Sequence, residues 1–253
     1  MTKIAVPGAT GRVGRHVVDV LGEQGHEVVP ISRSTGVDVI TGEGLAEALA
    51  GVETIVDTAT GNSPDQETAT EFFRTAARNI QEAGEQAGAQ RLVVVSIIGA
   101  DRFSGGYNAA KVVQEQLTLA GPIPAIVVRA AQFHEFVSQL VEWGTQGDVS
   151  FVPRMRTQLV AARTVAETLA DFATSADFAS GWIGEVAGPR EESLVEMAKL
   201  LVARRGDPVR VEGTAFQDED GLYEKGALLP GPDARLGGPT FEEWLDSVGA
   251  ARA

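Results

Sequence analysis

Ile4-Ala5-Val6-Pro7-Gly8-Ala9-Thr10-Gly11-Arg12-Val13-Gly14-Arg15-His16 is the stretch whose reading decides the fold. An apolar strand runs into a Gly-x-x-Gly-x-x-Gly turn, and a helix predicted over Arg12–Gln24 follows. The three glycines have separate uses. Gly8 allows a tight turn, Gly11 lets the backbone approach a phosphate, and Gly14 lets helix pack closely on strand. A helix starting near Arg12 offers N–H groups and a positive dipole end to a pyrophosphate. Gly8, Thr10, Gly11, Arg12, Val13 and Gly14 are therefore candidate ligands of a dinucleotide. Glycine spacing alone is a weak sign, but directly after the first strand and at the mouth of the first helix it is a strong one. The competing reading is a turn that only joins strand to helix.

Outward from this loop, short β-branched runs alternate with Ala/Glu-rich helical stretches up to about residue 130. That alternation predicts βαβ units and a doubly wound parallel sheet of the Rossmann type. Strands are predicted at Lys3–Val6, Glu27–Ser32, Thr54–Asp57, Arg91–Ser96 and Ala125–Arg129. Further helices are predicted at Glu43–Ala50, Gln66–Ala87 and Gly106–Ala120. Only ten residues separate Ser32 from Glu43, too few for a crossover helix and another parallel strand. The usual third strand is thus expected to be absent or vestigial. Beyond residue 130 the pattern loosens, with helices predicted at Gln132–Gly144, Thr164–Ala176, Glu192–Arg204 and Phe241–Val248. Short strands are predicted near Val149–Val152, Ile183–Val186 and Val209–Glu212, and Gly226–Pro239 reads as a loop. The expected organisation is a dinucleotide-binding core over 1–130 and a small α+β substrate lobe over 131–253, contiguous with it.

Composition narrows the function. The chain has 253 residues and a formal charge of −14 from 21 Lys+Arg against 35 Asp+Glu, which disfavours nucleic acid as a partner. No apolar run approaches the ~20 residues that cross a bilayer, and the N-terminus lacks the apolar core of a signal peptide. There is no cysteine, hence no thiol nucleophile and no zinc–thiolate site. A cytoplasmic protein acting on a small molecule, without a metal or membrane partner, is expected; the oligomeric state is left open.

Cofactor type is read about twenty residues after the glycine loop, where an NAD-preferring enzyme carries an acid for the ribose hydroxyls. This chain has Ser32-Arg33-Ser34 there. Arg33 can pair with a 2′-phosphate through its planar fork, with Arg12 assisting, so NADP(H) is expected ahead of NAD(H). The alternative is an arginine that only solvates the strand end.

Tyr107-Asn108-Ala109-Ala110-Lys111 is the second informative stretch. Four residues apart at the start of a predicted helix, Tyr107 and Lys111 project from one face. An ammonium near a phenol lowers the phenol's pKa, which fits Tyr107 for proton transfer. Ser96 ends the apolar strand eleven positions upstream, at the strand end that opens into the ligand crevice of such sheets. It could hydrogen-bond a substrate carbonyl, or simply cap a turn.

These features together resemble a short-chain dehydrogenase/reductase. The finer pattern is similar to the atypical, NmrA-like branch, through Val128-Arg129-Ala130-Ala131-Gln132-Phe133-His134-Glu135-Phe136 and Thr240-Phe241-Glu242-Glu243-Trp244-Leu245. The resemblance covers nearly the whole chain. It implies that Tyr107 is the general acid, that Lys111 holds the nicotinamide ribose, and that Ser96 orients the carbonyl. It also implies that Thr58, Ala59 and Thr60 run past the adenosine ribose and that Asp38 lies near the adenine. The chain departs from the family pattern at Pro7, where threonine is commoner, and at Ala130, where proline is usual. Many NmrA-like members bind the dinucleotide without known chemistry, some of them as redox sensors.

The remaining candidates are few. His16 and His26 read as solvated or backbone-bonded. His134 follows a strand end between Phe133 and Phe136, and these three are candidate substrate contacts, with a packed histidine as the alternative. Phe151 and Met155 extend an apolar wall, whereas Trp143 reads as core. Asn79 could steady backbone or water near the site, or be a plain helix-surface amide. Asp218-Glu219-Asp220 reads as solvated loop, and no Gly-x-Ser-x-Gly elbow suggests a hydrolase. The expected function is NADP(H)-dependent reduction of a small carbonyl or quinone-like compound. The alternatives are a dinucleotide-sensing regulator and a sugar-nucleotide epimerase.

Overall fold

The computed structural model describes residues 1–61, 63–215 and 221–250. The acidic run Asp218-Glu219-Asp220 lies outside them. The first half alternates β1 (Lys3–Pro7), α1 (Gly14–Glu23), β2 (Glu27–Ile31), α2 (Leu45–Ala48), β3 (Thr54–Asp57), α3 (Gln66–Ala87), β4 (Arg91–Ile97), α4 (Gly106–Ala120) and β5 (Ala125–Ala130). The second half runs α5 (His134–Gly144), β6 (Thr145–Gln146), β7 (Val149–Pro153), β8 (Arg156–Thr157), α6 (Ala162–Thr174) and β9 (Ile183–Ala187). It closes with β10 (Glu192–Ser193), α7 (Leu194–Arg205), β11 (Arg210–Thr214), β12 (Arg235–Leu236) and α8 (Phe241–Ala250).

Among the described residues the main sheet has seven strands in the order β12-β9-β5-β4-β3-β1-β2. β1 pairs parallel with β2 through Ala5↔Val29 and with β3 through Ala5↔Ile55, and β3 pairs parallel with β4. This is the expected Rossmann-type sheet. Between β2 and α2 the chain makes one 3₁₀ turn, Arg33–Thr35, and no strand, so the third strand is missing as its short interval requires. β2 is left at the edge, with Pro30 on a strand that needs no further ladder partner. Because β1 sits between β2 and β3, the chain reverses direction across the sheet there. That switch point is where open α/β sheets bind ligands, outside the carboxyl ends of the strands.

Two compact units divide the chain, Met1–Arg129 with Val165–Gly184, and Ala130–Thr164 with Glu185–Ala253. This differs from a single boundary at 130. The segment 165–184 groups with the first half, where Gly181 N donates to Ala125 O and Val127 N to Trp182 O. In the first unit, Ala5, Ile31, Leu45, Leu49, Ile55, Ile80 and Leu92 form a buried cluster. In the second, α5, α7 and α8 close on Val137, Val152, Leu194, Leu201 and Phe241, beside the sheet β11-β7-β6. The span Gly226–Pro239, read as loop, contains β12, which pairs with β9 through Arg235↔Val186. Trp143 does not belong to the core: it is 65% exposed, with Phe136 edge-on to it.

Candidate active site

The carboxyl ends of β1 and β3 are tied together by one side chain. Thr58 donates from its backbone N–H and from Oγ1 to the Pro7 carbonyl, at 2.9 and 2.8 Å. Pro7 has no N–H or hydroxyl of its own, yet its carbonyl takes both bonds. Gly8 then turns with φ +78°, a conformation that suits glycine. A Cβ at Gly8 would stand 2.6 Å from the Thr58 carbonyl, and one at Gly14 would strike the Gly8 carbonyl. Gly11 N donates to Gly8 O at 2.8 Å and closes the loop.

The helix α1 begins at Gly14, two residues later than expected, with Val13 as its cap residue. It has no side-chain cap and no acid in its first turn. A helix end without a side-chain cap or an acid in its first turn, above a glycine cradle, fits a diphosphate. Thr10 is exposed on the loop, Gly11 and Arg12 are half-buried, and Val13 is buried.

The next loop carries Arg33, which is exposed. Its turn is shaped by Ser32 N donating to Thr35 Oγ1 at 3.0 Å. Asp38 accepts from Ile40 N at 2.7 Å and so shapes its own turn. Asn79, on α3, donates to the carbonyls of Val39 and Ile40, both at 2.9 Å. It steadies the backbone of the connection between β2 and α2.

On α4 the two expected catalytic side chains part company. The Tyr107 hydroxyl meets Thr60 Oγ1 at 2.6 Å, and its ring packs edge-on to Phe73. Burial pushes the Tyr107 phenol above its usual pKa, with the Thr60 bond opposing. The expectation that Lys111 draws this pKa down is not met. Lys111 is 5% exposed and donates to Val95 O at 2.7 Å and to Gln114 Oε1. Burial lowers its pKa to about 8, against the pull of Asp57 and Glu115. The ammonium is thus held on Val95 and Gln114.

Ser96 is likewise buried, and its hydroxyl has no hydrogen-bond partner. It occupies the alternate face of β4 from Val95 and Ile97, which are only partly buried. Thr58 and Ala59 are buried in the turn after β3, and Thr60 is exposed.

In the second unit His134 is 1% exposed. Its Nε2 lies 3.0 Å from Pro239 O, and its ring packs on Phe241 and Trp244 at 5.4 and 5.5 Å. Burial lowers its pKa to about 4. This is the packed arrangement that stood as the alternative reading of His134. Phe133 precedes α5 and Phe136 lies in its first turn, both half-buried. Among the described residues no cluster of His, Asp and Glu could hold a metal, and no helix is long and apolar enough to cross a membrane.

Sequence reasoning passed over Asp57, Gln114, Glu115 and Arg129 as site residues. Asp57 ends β3 fully enclosed; burial raises its pKa to about 6. The available signal was a charged or amide side chain at positions where strand or helix period calls for an apolar one.

Residues 8–175 match a family described as NAD(P)H-binding. A 3-beta-hydroxysteroid dehydrogenase of Mycolicibacterium neoaurum is 32% identical over 46% of this chain and 42% of its own length; the chain therefore matches under half of that relative. A dTDP-4-dehydrorhamnose reductase ortholog from Clostridium acetobutylicum has the same fold, with a TM-score of 0.76 at 16% identity, all of both chains being covered. So does a short-chain dehydrogenase/reductase superfamily protein from Agrobacterium tumefaciens with bound NAD, at 0.69 and 16%, covering 99% of this chain and 97% of that one.

Proposed function

From the premise that this chain belongs to the NAD(P)H-binding family and binds NAD(P)(H), we propose that it is an atypical short-chain dehydrogenase/reductase that uses NADPH to reduce a small carbonyl or quinone-like compound. The bound nicotinamide supplies the hydride. Gly8, Gly11 and Gly14 shape the diphosphate cradle, and Thr10, Arg12 and Val13 flank it. Arg33 takes the 2′-phosphate, and Asp38 with Thr58 and Ala59 lines the adenosine side. Tyr107 gives a proton to the carbonyl oxygen as the hydride arrives.

The observation that carries this reading is the state of Tyr107. Its hydroxyl sits on Thr60 at 2.6 Å, and burial keeps it protonated, which suits an acid rather than a base. The test mixes NADPH with aldehydes, ketones, quinones and a 3-ketosteroid and follows loss of its absorbance. Turnover that Tyr107→Phe removes while NADPH binding persists supports the reductase. Turnover unchanged in Tyr107→Phe removes Tyr107 from the role.

One observation favours a second reading, a non-catalytic sensor of the dinucleotide's redox state. Lys111 is sequestered on Val95 and Gln114, where it gives Tyr107 no help. Tight NADP(H) binding without turnover across the whole panel selects that reading.

A further inference from the structure

Tyr107 and Lys111 both touch the Phe73 ring. The Lys111 ammonium lies 4.6 Å from its centre, and the Tyr107 ring is edge-on to it at 5.6 Å. Their polar ends nevertheless have different partners, and the buried carboxylate of Asp57 is connected to both. Asp57 Oδ2 accepts from Gln114 Nε2 at 3.2 Å, while Gln114 Oε1 accepts from the Lys111 ammonium. An ammonium only donates and a carboxylate only accepts, so the amide between them has one possible orientation. Lys111, Gln114 and Asp57 are all 5% exposed or less. Removing any member strands a buried polar group, so the chain holds its geometry.

The other oxygen of the same carboxylate faces the next turn. Asp57 Oδ1 accepts from Ala59 N at 2.9 Å, which bends the backbone immediately before Thr60. Thr60 is thereby presented to the Tyr107 hydroxyl. The charged groups acting on Lys111 are Asp57 from β3 and Glu115 of its own helix; the charge of Glu115 is taken up by Arg129 at 2.7 Å.

We infer that Thr60, rather than Lys111, is the positioning residue for the Tyr107 hydroxyl, and that Asp57 fixes this choice with its two oxygens, one shaping the turn that presents Thr60 and the other, through Gln114, keeping Lys111 seated on Val95. The inference rests on Tyr107 as proton donor for its catalytic meaning, but not for its geometry. Thr60 orients the hydroxyl by hydrogen bonding, with no bond made or broken at its own oxygen.

Tyr107 and Tyr223 are the only tyrosines in the chain, so isotope-labelled tyrosine gives a simple NMR titration, assigned with Tyr107→Phe. Thr60→Val is expected to move the Tyr107 titration to higher pH, because the Thr60 bond favours the phenolate, and Thr60→Ser to restore it. Lys111→Met is expected to move it by no more than a few tenths of a pH unit. With any carbonyl the protein reduces, Thr60→Val should lower kcat about tenfold, the scale of one lost hydrogen bond. Thr60→Ser should recover that loss. An unmoved titration in Thr60→Val overturns the inference, as does an upward move of about one unit or more in Lys111→Met. Should no carbonyl be reduced, the titrations still decide it; turnover failure then counts only against the reductase.

Discussion

The carboxylate of Glu115 grips the guanidinium of Arg129 through both oxygens, at 2.9 Å to Nε and 2.7 Å to the terminal nitrogen, and so pins α4 to β5. Glu115 is 3% exposed. Parallel donors on a carboxylate form the strongest kind of ion pair, and removal of Glu115 leaves the largely buried Arg129 with only the exposed Asp101. Glu115→Ala should therefore cost about 3 kcal/mol of unfolding free energy, the low end for a broken buried pair. Arg129 also reaches the more exposed Asp101 at 2.9 Å, but Asp101→Ala should cost less than about 1 kcal/mol. Urea denaturation of the two variants checks the contrast, and equal losses would refute it.

His134 should make the protein sensitive to mild acid. Its pKa falls from 6.5 in the unfolded chain to about 4 in the fold. The unfolded state therefore binds a proton that the folded state refuses between those values. Its contribution is whole above pH 6.5 and is lost as pH falls toward 4, to a total of roughly 3 kcal/mol. Denaturation midpoints of wild type and His134→Gln across this window should converge on acidification. A constant difference would mean that the ring is not titrating as buried.

Asp57 should act in the opposite direction. Its pKa rises from 3.8 to about 6 on folding, so the folded protein keeps a proton that the unfolded chain gives up. Stability from this group is present below pH 4 and declines as pH rises to 6, by roughly 2–3 kcal/mol. Asp57→Asn cannot ionise and should lack the decline. The paired comparison separates this slope from that of His134, which has the opposite sign over nearly the same interval.

Gly8→Ala should fail for a reason independent of any ligand. The residue must adopt φ +78° and its Cβ must meet the Thr58 backbone at 2.6 Å. Strain of this kind costs on the order of 1–3 kcal/mol before the clash is counted. A lower melting temperature without cofactor, together with weaker NADPH binding, is expected. Weaker binding at an unchanged melting temperature would show that the loop tolerates the side chain.

Much of this was legible in the order of residues. The glycine loop, the parallel strands and the missing third strand follow from local spacing, because a ten-residue gap cannot hold a crossover. Gln66–Ala87 and Gly106–Ala120 are bounded by Asp65, Gly88 and Gly105, and the helices end where those residues place them. The Tyr107–Lys111 spacing was correctly seen to share a helix face, but spacing does not say which polar group each side chain finds. Gln114 lies only three residues beyond Lys111, whereas Asp57 and Thr60 come from the end of β3 and the turn after it, some fifty positions away. The packing of His134 is hidden from local sequence for the same reason: Phe241 and Trp244, which pack on it, lie more than a hundred residues on. Local signals fix elements, and long-range contacts decide what each functional side chain can touch.

Arg33 offers the sharpest test of cofactor choice. It stands just past the end of β2, the place where the ribose of a bound dinucleotide is read, and no acid accompanies it at Ser32 or Ser34. It is exposed and held only by a short turn, so its removal should leave the fold intact. A charge-assisted bond to a 2′-phosphate contributes about 1.5–3 kcal/mol, or roughly 10- to 150-fold in affinity. Arg33→Ala should weaken NADPH binding by that factor and leave NADH binding unchanged, because NADH has no 2′-phosphate to lose. Raising the salt concentration should narrow the difference in the wild type, since an exposed ion pair is screened. Equal weakening of both cofactors would instead place Arg33 in a general electrostatic role, and no change in either would leave it a solvated strand end.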